Sequence, residues 1–185
     1  MWTRRVRITD LALPDIKLVS LAVHGDERGS FTETFRETDW APLLNGARFV
    51  QDNQTRSAAA GTVRGLHYQL PPFAQAKLVQ VVSGRILDIA VDLRRGSPSF
   101  GRHAAVELGD DGTQIFVPAG FAHGLMTLVP NTIVIYKVTA KYDPKSERGI
   151  AWDDPDLGIA WPKLAATLSS RDLTWPRLKD QRDLF

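Results

Sequence analysis

The stretch "GTVRGLHYQLPPFAQAKLVQVVSG", residues 61–84, carries the most informative spacing in the chain. Five residues separate its first glycine from His67, and six residues separate Lys77 from its last glycine. Short apolar runs on each side of the central prolines predict two strands, at 62–69 and 76–83, with a turn between them. The stretch therefore places a histidine on one predicted strand and a lysine on the next.

Alternating apolar and polar residues continue well beyond this stretch. In residues 87–93, apolar side chains occur at every second position, opposite Asp88, Ala90 and Asp92, which predicts a strand with one face in a core. Similar segments occur at 16–23, 29–36, 48–55, 62–69, 76–83, 103–108, 113–117 and 132–139. Many short strands at this spacing favour an all-β sandwich or barrel.

The parts of the chain without alternation predict less regular structure. Residues 37–46 are expected to form a short helix or turn. From about 153 to 185 the chain is rich in proline and tryptophan, and we expect it to wrap around the barrel in short helices and loops. A length of 185 residues suits one domain, spanning 1–185.

Composition and charge argue against several classes of protein. Hydrophobic residues make up 43% of the chain and charged residues 24%, values typical of globular proteins. The net charge is +2 and the basic residues are mixed with acidic ones, so no basic stripe for nucleic acid is expected. Without cysteine there is neither a disulfide nor a thiolate metal site. No apolar run suits a membrane span or signal peptide, so we expect no membrane association and a cytoplasmic protein.

A second spacing, in "GTQIFVPAGFAH", complements the first. Five residues separate Gly112 from Pro118, and Gly120 and His123 follow. Together the two spacings resemble the two halves of the cupin signature. That resemblance implies a small antiparallel jelly roll whose strands open into one cavity.

The residues at the metal-ligand positions of this signature argue against a metal centre. Where a metal-binding cupin carries a second histidine and a glutamate, this chain has Gln69 and Lys77. A protonated lysine has no lone pair and repels a cation, so a metal would have only His67 and His123 as good ligands. We therefore expect no metal, and an organic ligand faced by two imidazoles, an amide and an ammonium.

The same residue types suit proton transfer next to a carbonyl group. An ammonium in a sheltered pocket stabilises negative charge that develops on a substrate oxygen. Histidine titrates near neutral pH, so a histidine beside the ammonium can take a proton. Inversion of a carbon also needs a proton donor on the opposite face, and Tyr136, on a predicted strand, is the candidate.

Several further motifs occur in order along the chain. They are "GDERGSFTETFRE", "FVQDNQTRS", "TVRGLHYQLPP", "QAKLVQVVSGRILDIAVDLRRGSPSFG", "IFVPAGFAHG", "YKVTAKYDPKSERGIAWDDPDLGIAWP" and "LSSRD". With them the chain resembles the dTDP-4-dehydrorhamnose 3,5-epimerases, from about residue 16 to residue 176. The resemblance implies an isomerase that acts without a cofactor on a dTDP-linked 4-keto-6-deoxy sugar. It also implies a homodimer whose subunits exchange amino-terminal strands, here within about residues 1–36.

The resemblance implies catalytic roles for individual residues. His67 matches the family's catalytic base, and Asp172 matches the carboxylate that orients it. Lys77 matches the residue at the C4 carbonyl oxygen of the sugar, and Tyr136 matches the proton donor. His123 matches a second pocket histidine close to the substrate.

Ligand-binding roles follow from the same resemblance. Tyr142 matches the ring that stacks on thymine, although a tyrosine before an Asp-Pro pair is also common in turns. The positions that match residues holding the nucleotide diphosphate or the sugar are Arg28, Glu33, Gln51, Asn53, Arg64, Glu147 and Arg171. Arg28 and Glu33 are expected to serve the neighbouring subunit's site, but they also fit a simple cross-strand ion pair.

Strand geometry agrees with most of these positions. Gln51 and Asn53 lie two residues apart on a predicted strand, so they share a face. Arg64 and His67 are three apart, and a regular strand would point them in opposite directions. A bulge at Gly65 would turn both side chains inward.

The catalytic candidates also have ordinary structural explanations. Lys77 fits the solvated edge of a sheet, where lysine prevents aggregation. Tyr136 fits a core aromatic whose hydroxyl bonds to the backbone. Asp172 fits the cap of a helix that follows two serines.

The same groups leave alternative functions open. One carbonyl acidifies both neighbouring carbons, so an epimerase acting at C3 or C5 alone fits as well. A 3,4-ketoisomerase is a further relative with this fold. From other classes, a metal-dependent cupin oxygenase would be recognised by metal analysis, and a non-catalytic sugar-nucleotide binder by the absence of proton exchange.

Overall fold

Two antiparallel β-sheets face each other in the computed structural model, which describes residues 6–185. The strands are β1 (Arg7–Asp10), β2 (Lys17–Ser20), β3 (Val23–Asp26), β4 (Gly29–Thr32), β5 (Gln51–Ser57), β6 (Val63–Gln69), β7 (Lys77–Ser83), β8 (Arg85–Asp92), β9 (His103–Gly109), β10 (Thr113–Val117), β11 (Phe121–Thr127), β12 (Thr132–Val138) and β13 (Glu147–Gly149). The helices are α1 (Glu37–Leu44) and two 3-10 helices, Asp172–Thr174 and Leu178–Asp180. The all-β jelly-roll prediction, with short helices near the C-terminal end, is confirmed.

The order of strands separates His67 from Lys77. One sheet runs β1-β2-β10-β7-β12-β5, and the other runs β13-β6-β11-β8-β9. Strands β3 and β4 pair only with each other among the described strands. Consecutive strands β6 and β7 therefore belong to opposite sheets, and the histidine and the lysine project from opposite walls of the space between them.

The main core fills part of that space. It contains Val79 and Val134 from the six-stranded sheet and Ile86, Ala90 and Leu125 from the five-stranded sheet, all at most 6% exposed. Burial of such side chains contributes roughly 1.5–3 kcal/mol each. Val79 and Leu125 of this core also line a cavity between the sheets.

Strand β8 is buried on both faces; the predicted face lies in a core, but the opposite face, which the sequence did not place in a core, is buried as well. Ile86 and Ala90 face the main core, whereas Ile89 and Val91 face a second core that is covered by C-terminal residues, including Leu157. Asp88, a charged residue on the face of the main core, is also 0% exposed. The alternation in the sequence therefore separates two buried faces, and it does not distinguish a buried face from a solvated one.

Strand β11 was not among the predicted strands. All seven of its residues are buried, because β6 and β8 flank it and both of its faces are covered. A strand of this kind shows no alternation of polarity that sequence inspection can detect. The short strands β1, β3 and β13 were missed as well, since the predicted segment 16–23 reaches only the first residue of β3.

Residues beyond 153 pack on the outer face of the five-stranded sheet. Tyr68 Oη donates a hydrogen bond to the Asp183 carbonyl oxygen at 2.6 Å, and Trp161 Nε1 donates to the Trp152 carbonyl oxygen at 2.8 Å. The predicted helix within 37–46 is α1, which buries Trp40 and Leu44 against the other sheet. Between residues 6 and 185, no helix has the length and apolar character needed to cross a membrane.

Candidate active site

A bulge between β6 and β11 sets the geometry of the site. His67 pairs with His123 and Arg64 with Leu125, so two residues of β6 lie opposite the single residue Gly124. The predicted bulge at Gly65 is confirmed, and both Arg64 and His67 line the cavity. Gly65 has φ +125°, and a Cβ there would lie 2.6 Å from the Gly124 Cα, so the bulge requires glycine.

The cavity lies between the sheets and narrows inward. Its outer part has a volume of about 340 Å³ and its inner part about 70 Å³. Side chains that line both parts are Thr55, Arg64, His67, Lys77 and Tyr136. Residues from four different strands of the two sheets therefore converge on one space.

His67 and Asp172 form a close pair in this space. His67 Nε2 lies 2.5 Å from Asp172 Oδ1, and the Asp172 side chain is 6% exposed. Burial tends to raise the pKa of Asp172, but hydrogen bonds from His67 and Trp175 outweigh it and hold the pKa below its usual value. Since an ionised carboxylate only accepts hydrogen bonds, His67 Nε2 donates, and Nδ1 is the nitrogen available to a ligand.

Sequence inspection missed Trp175, which fixes the position of this pair. Its Nε1 donates to Asp172 Oδ1 at 3.3 Å, and its ring packs edge-on against His67 with 6.0 Å between ring centroids. A Cβ at Gly149 would lie 2.4 Å from the Trp175 ring, so glycine is needed where the ring crosses β13. The motif "SSRDLTWP" contains the tryptophan but gives no sign that it contacts His67.

Lys77 is buried in the wall opposite His67. Its Nζ lies 3.5 Å from the His67 carbonyl oxygen. Burial lowers the pKa of Lys77 to about 8, and the negative charges of Asp88 and Glu147 limit the fall. The interpretation of Lys77 as a solvated edge residue is wrong, because the side chain faces the cavity.

Tyr136 lies on the same wall as Lys77, on the neighbouring strand β12. Its side chain lines both parts of the cavity. Burial raises the pKa of the Tyr136 hydroxyl, and the positive charge of Arg64 offsets part of that rise. The hydroxyl is therefore protonated throughout the neutral pH range and able to donate.

His123 lies at the inner end of the cavity and is 9% exposed. Its Nε2 lies 2.9 and 3.0 Å from the two carboxylate oxygens of Asp88. His67 and His123, the two imidazoles expected to face a ligand, are thus each bonded to an aspartate. The described residues contain no cluster of three or more His, Cys, Asp or Glu side chains able to hold a metal ion.

A network of polar side chains surrounds the mouth of the cavity. Arg171 Nη1 lies 2.5 Å from Glu147 Oε2, and the Tyr142 hydroxyl donates to the same oxygen at 2.8 Å. The Tyr142 backbone N–H donates to Gln51 Oε1 at 3.0 Å, and Gln51 Nε2 donates to Asn53 Oδ1 at 2.8 Å. Tyr142 is 50% exposed, so its side chain is partly open to solvent at the mouth of the cavity.

Gln69 lines the outer part of the cavity, as expected, but both ends of its amide bond to the chain itself. Gln69 is 3% exposed, and its Oε1 accepts a hydrogen bond from the Asp143 backbone N–H at 2.8 Å. Its Nε2 donates to the carbonyl oxygens of Phe73 at 2.7 Å and Lys141 at 3.1 Å. The residue at a metal-ligand position of the cupin signature holds the chain on both sides of Tyr142.

Arg28 and Glu33 do not line the cavity of their own chain. Arg28, in the turn between β3 and β4, is 84% exposed in its side chain and pairs with Asp26 at 2.6 Å. Glu33 pairs with Arg36 at 2.8 Å. The other predicted residues lie at the cavity, and Asp172 lies directly behind His67.

Comparison with known proteins identifies the family of the chain. The family model described as dTDP-4-dehydrorhamnose 3,5-epimerase matches residues 10–180. The chain belongs to that family. As a member of this family, the protein is an epimerase, which is one class of isomerase.

Individual relatives cover nearly the whole chain. A dTDP-4-dehydrorhamnose 3,5-epimerase of Sinorhizobium fredii is 48% identical over 91% of this chain and 87% of its own. A solved dTDP-6-deoxy-D-glucose-3,5-epimerase of Legionella pneumophila Philadelphia 1, in complex with dTDP-4-keto-L-rhamnose, is 40% identical over 95% of this chain and 94% of its own, with a TM-score of 0.90. The 3'-monoepimerase ChmJ of Streptomyces bikiniensis, in complex with dTDP-quinovose, is 34% identical over 92% of this chain and 87% of its own, with a TM-score of 0.85.

Proposed function

We propose that this epimerase converts dTDP-4-dehydro-6-deoxy-D-glucose to dTDP-4-dehydro-L-rhamnose by moving protons at C3 and C5. The observation that supports this most directly is that a histidine base and a tyrosine donor face one cavity from opposite sheets. A sugar ring held between them has one face towards each group. That is the geometry that inversion of a carbon requires.

His67 removes the proton. Its imidazole takes a hydrogen from the carbon next to the C4 carbonyl and becomes positively charged. The Asp172 carboxylate, 2.5 Å away, stabilises that charge and keeps the ring in one orientation. Because the pKa of Asp172 is held low, the carboxylate does not take the proton itself.

Lys77 stabilises the enolate. Loss of the proton moves an electron pair onto the C4 oxygen, and an ammonium in a sheltered cavity is a strong partner for that negative charge. The enolate in turn favours the charged form of the lysine. A metal ion is not required for the reaction, because Lys77 provides the positive charge at this position.

Tyr136 completes the inversion. Its hydroxyl donates a proton to the carbon from the opposite face while the enolate electrons return to form the C–H bond. The His67 proton then leaves to solvent, and the tyrosinate takes a proton from solvent. The same sequence at the second carbon gives the product, and neither step consumes a cofactor.

The mouth of the cavity suits the nucleotide. Arg64 and Arg171 present guanidinium groups that bind phosphate oxygens bidentately. Tyr142 stacks on thymine, and Gln51, Asn53, Glu147 and His123 hold the remaining polar groups of the ligand. Together these assignments place the sugar deep in the cavity and the base at its exposed end.

A homodimer would explain the two predicted residues that lie outside the cavity of their own chain, Arg28 and Glu33. The hairpin of β3 and β4 joins neither sheet of its own chain, and it exposes Val23 by 48% and Phe31 by 66%. A second copy would cover these side chains if the segment of about 1–36 were exchanged, and Arg28 and Glu33 would then reach the partner's cavity. In this proposal 1–185 acts as one cytoplasmic domain.

An epimerase acting on one carbon is the second candidate. Its support is the similarity to ChmJ, a 3'-monoepimerase with the same fold. The same base, donor and ammonium serve either reaction, since the choice of carbon depends on how the ring sits between His67 and Tyr136.

Incubation with dTDP-4-keto-6-deoxyglucose in heavy water tests both candidates. In proton NMR the signals at C3 and C5 should disappear as deuterium replaces hydrogen, and the product should have the L-rhamno configuration. A His67→Asn control should show neither deuterium exchange nor inversion. Deuterium and inversion at one carbon alone would support the monoepimerase. A chain that binds dTDP but exchanges no proton would contradict both proposals.

A further inference from the structure

Asp88 is a buried carboxylate for which the proposed reaction has no role. It lies on β8, is 0% exposed, and faces the main core beside Ile86 and Ala90. A carboxylate in such surroundings is costly unless charges or donors compensate it. Two groups of the cavity, His123 and Lys77, provide that compensation.

The geometry with His123 is specific. In the antiparallel pair of β8 and β11, Asp88 pairs with Leu125 and Ala90 pairs with His123, so the aspartate and the histidine are diagonal neighbours on one face. His123 Nε2 lies within 3.0 Å of both carboxylate oxygens. Since the carboxylate only accepts hydrogen bonds, Nε2 carries the hydrogen, and Nδ1 is left for the cavity.

Lys77 is the second group affected. The carboxylate raises the pKa of this lysine against the effect of burial, as does Glu147. Ionisable side chains from several elements share the cavity with Lys77. They are Arg64, His67 and Tyr68 on β6, His123 on β11, Tyr136 on β12, Tyr142, Glu147 on β13 and Arg171. Arg64 carries the same charge as Lys77. A buried negative charge near the inner end therefore offsets the repulsion between the two cations.

We propose that Asp88 is a positioning residue, whose carboxylate orients His123 through its hydrogen bonds and places a negative charge beside the inner end of the cavity that Lys77 lines. The proposal rests on the proposed function for the role of the ammonium in stabilising an enolate. The link between Asp88 and the charge of Lys77 does not depend on that role. It can therefore be measured separately from activity.

The direct test follows the titration of Lys77 by carbon-13 NMR of lysine-labelled protein, with Lys77→Met to assign the signal. Asp88→Asn keeps the size of the side chain but removes the charge. We expect the Lys77 titration to move about one pH unit lower. The alkaline limb of kcat/KM should move by the same amount, so the variant should lose more activity at high pH than at pH 7.

Two control variants separate this effect from general damage. Asp92→Asn removes another buried carboxylate of β8, which bonds to Arg94, Ser97 and Ser99 away from the cavity. It should lower the melting temperature and leave the Lys77 titration in place. His123→Gln keeps the Asp88 charge, so it should lower kcat and not move the titration of Lys77 towards lower pH.

The outcome also distinguishes this proposal from the proposed function. If Asp88→Asn lowers activity equally at every pH and the Lys77 titration does not move, Asp88 has only a structural role and the inference is wrong. If the native chain exchanges no substrate proton but the titration moves as expected, the function is wrong and the inference stands. Should Asp88→Asn not fold, the double variant Asp88→Leu/His123→Phe provides an apolar replacement for the pair, in which the titration of Lys77 must also move lower.

Discussion

His67 Nε2 and Asp172 Oδ1 are 2.5 Å apart, although 105 positions separate the two residues in the chain. The histidine is on a strand of the five-stranded sheet, and the aspartate begins a 3-10 helix in the segment that covers that sheet. The pair therefore forms only when the C-terminal segment packs correctly. A variant of the pair can therefore change either the reaction or the folding of this segment, and both have to be measured.

Replacing Asp172 by Asn should lower kcat by up to about 10⁴-fold, because the amide cannot stabilise a charged imidazole and favours the wrong tautomer. The measurement is the rate of epimerisation, with the melting temperature as a check on folding. Asp180→Asn, at an exposed position of the same segment, is the matched control and should retain full activity. Native kcat in the Asp172 variant would contradict the role of the pair.

Tyr136→Phe should separate proton removal from inversion. His67 still removes the proton, and without a donor on the other face the proton returns to the side from which it left. Substrate recovered from heavy water should therefore contain deuterium at C3 or C5 while its configuration is unchanged. His67→Asn should block both exchange and inversion. If Tyr136→Phe inverts its substrate at the native rate, another group is the donor.

The pH dependence of kcat/KM should reflect Lys77. Since burial lowers the pKa of this lysine to about 8, the ammonium form predominates below that pH and is lost above it. An ordinary exposed lysine would retain its charge for about two further pH units. We expect kcat/KM, which reports the free enzyme, to fall roughly tenfold per pH unit above this pKa. A profile that stays flat to pH 10 would show that the ammonium is not required.

Gln69→Met should weaken binding of the nucleotide with little effect on kcat. The variant keeps the size of the side chain but loses the hydrogen bonds that hold Lys141 and Asp143 on either side of Tyr142. We expect dTDP to bind about tenfold more weakly by calorimetry. Gln54→Met, at an exposed position of β5, should bind normally. Equal loss of kcat and affinity would mean that Gln69 supports the whole cavity.

The sequence predicted the part of the site that depends on local spacing. The glycines around His67, Lys77 and His123 mark strand ends, so the cavity and its inward-facing side chains could be inferred without coordinates. The bulge at Gly65 could also be inferred, because two candidate residues three apart cannot share a face of a regular strand. Tyr136 could be named as a candidate from its predicted strand, but most of the support for its role came from the family resemblance.

Long-range packing explains what could not be predicted. The contact of Trp175 with His67 and the burial of both faces of β8 depend on the C-terminal segment, which no periodicity places. Asp88 looked like a solvent-facing residue for the same reason. The position of Gln69 at the cavity followed from the signature, whereas the bonds of its amide to Lys141 and Asp143 depend on a loop more than 70 residues away.

The late position of Asp172 in the chain has a consequence for the timing of activity during translation. A nascent chain that has left the ribosome only as far as β13 already contains every strand of both sheets, yet its histidine base has no carboxylate. Such a chain also lacks Arg171 and the residues that cover the outer face of the five-stranded sheet, so neither the base nor the nucleotide site is complete. Proteolytic cleavage in the exposed part of residues 163–170 would inactivate the mature enzyme in the same way, if the downstream segment with Asp172 were released.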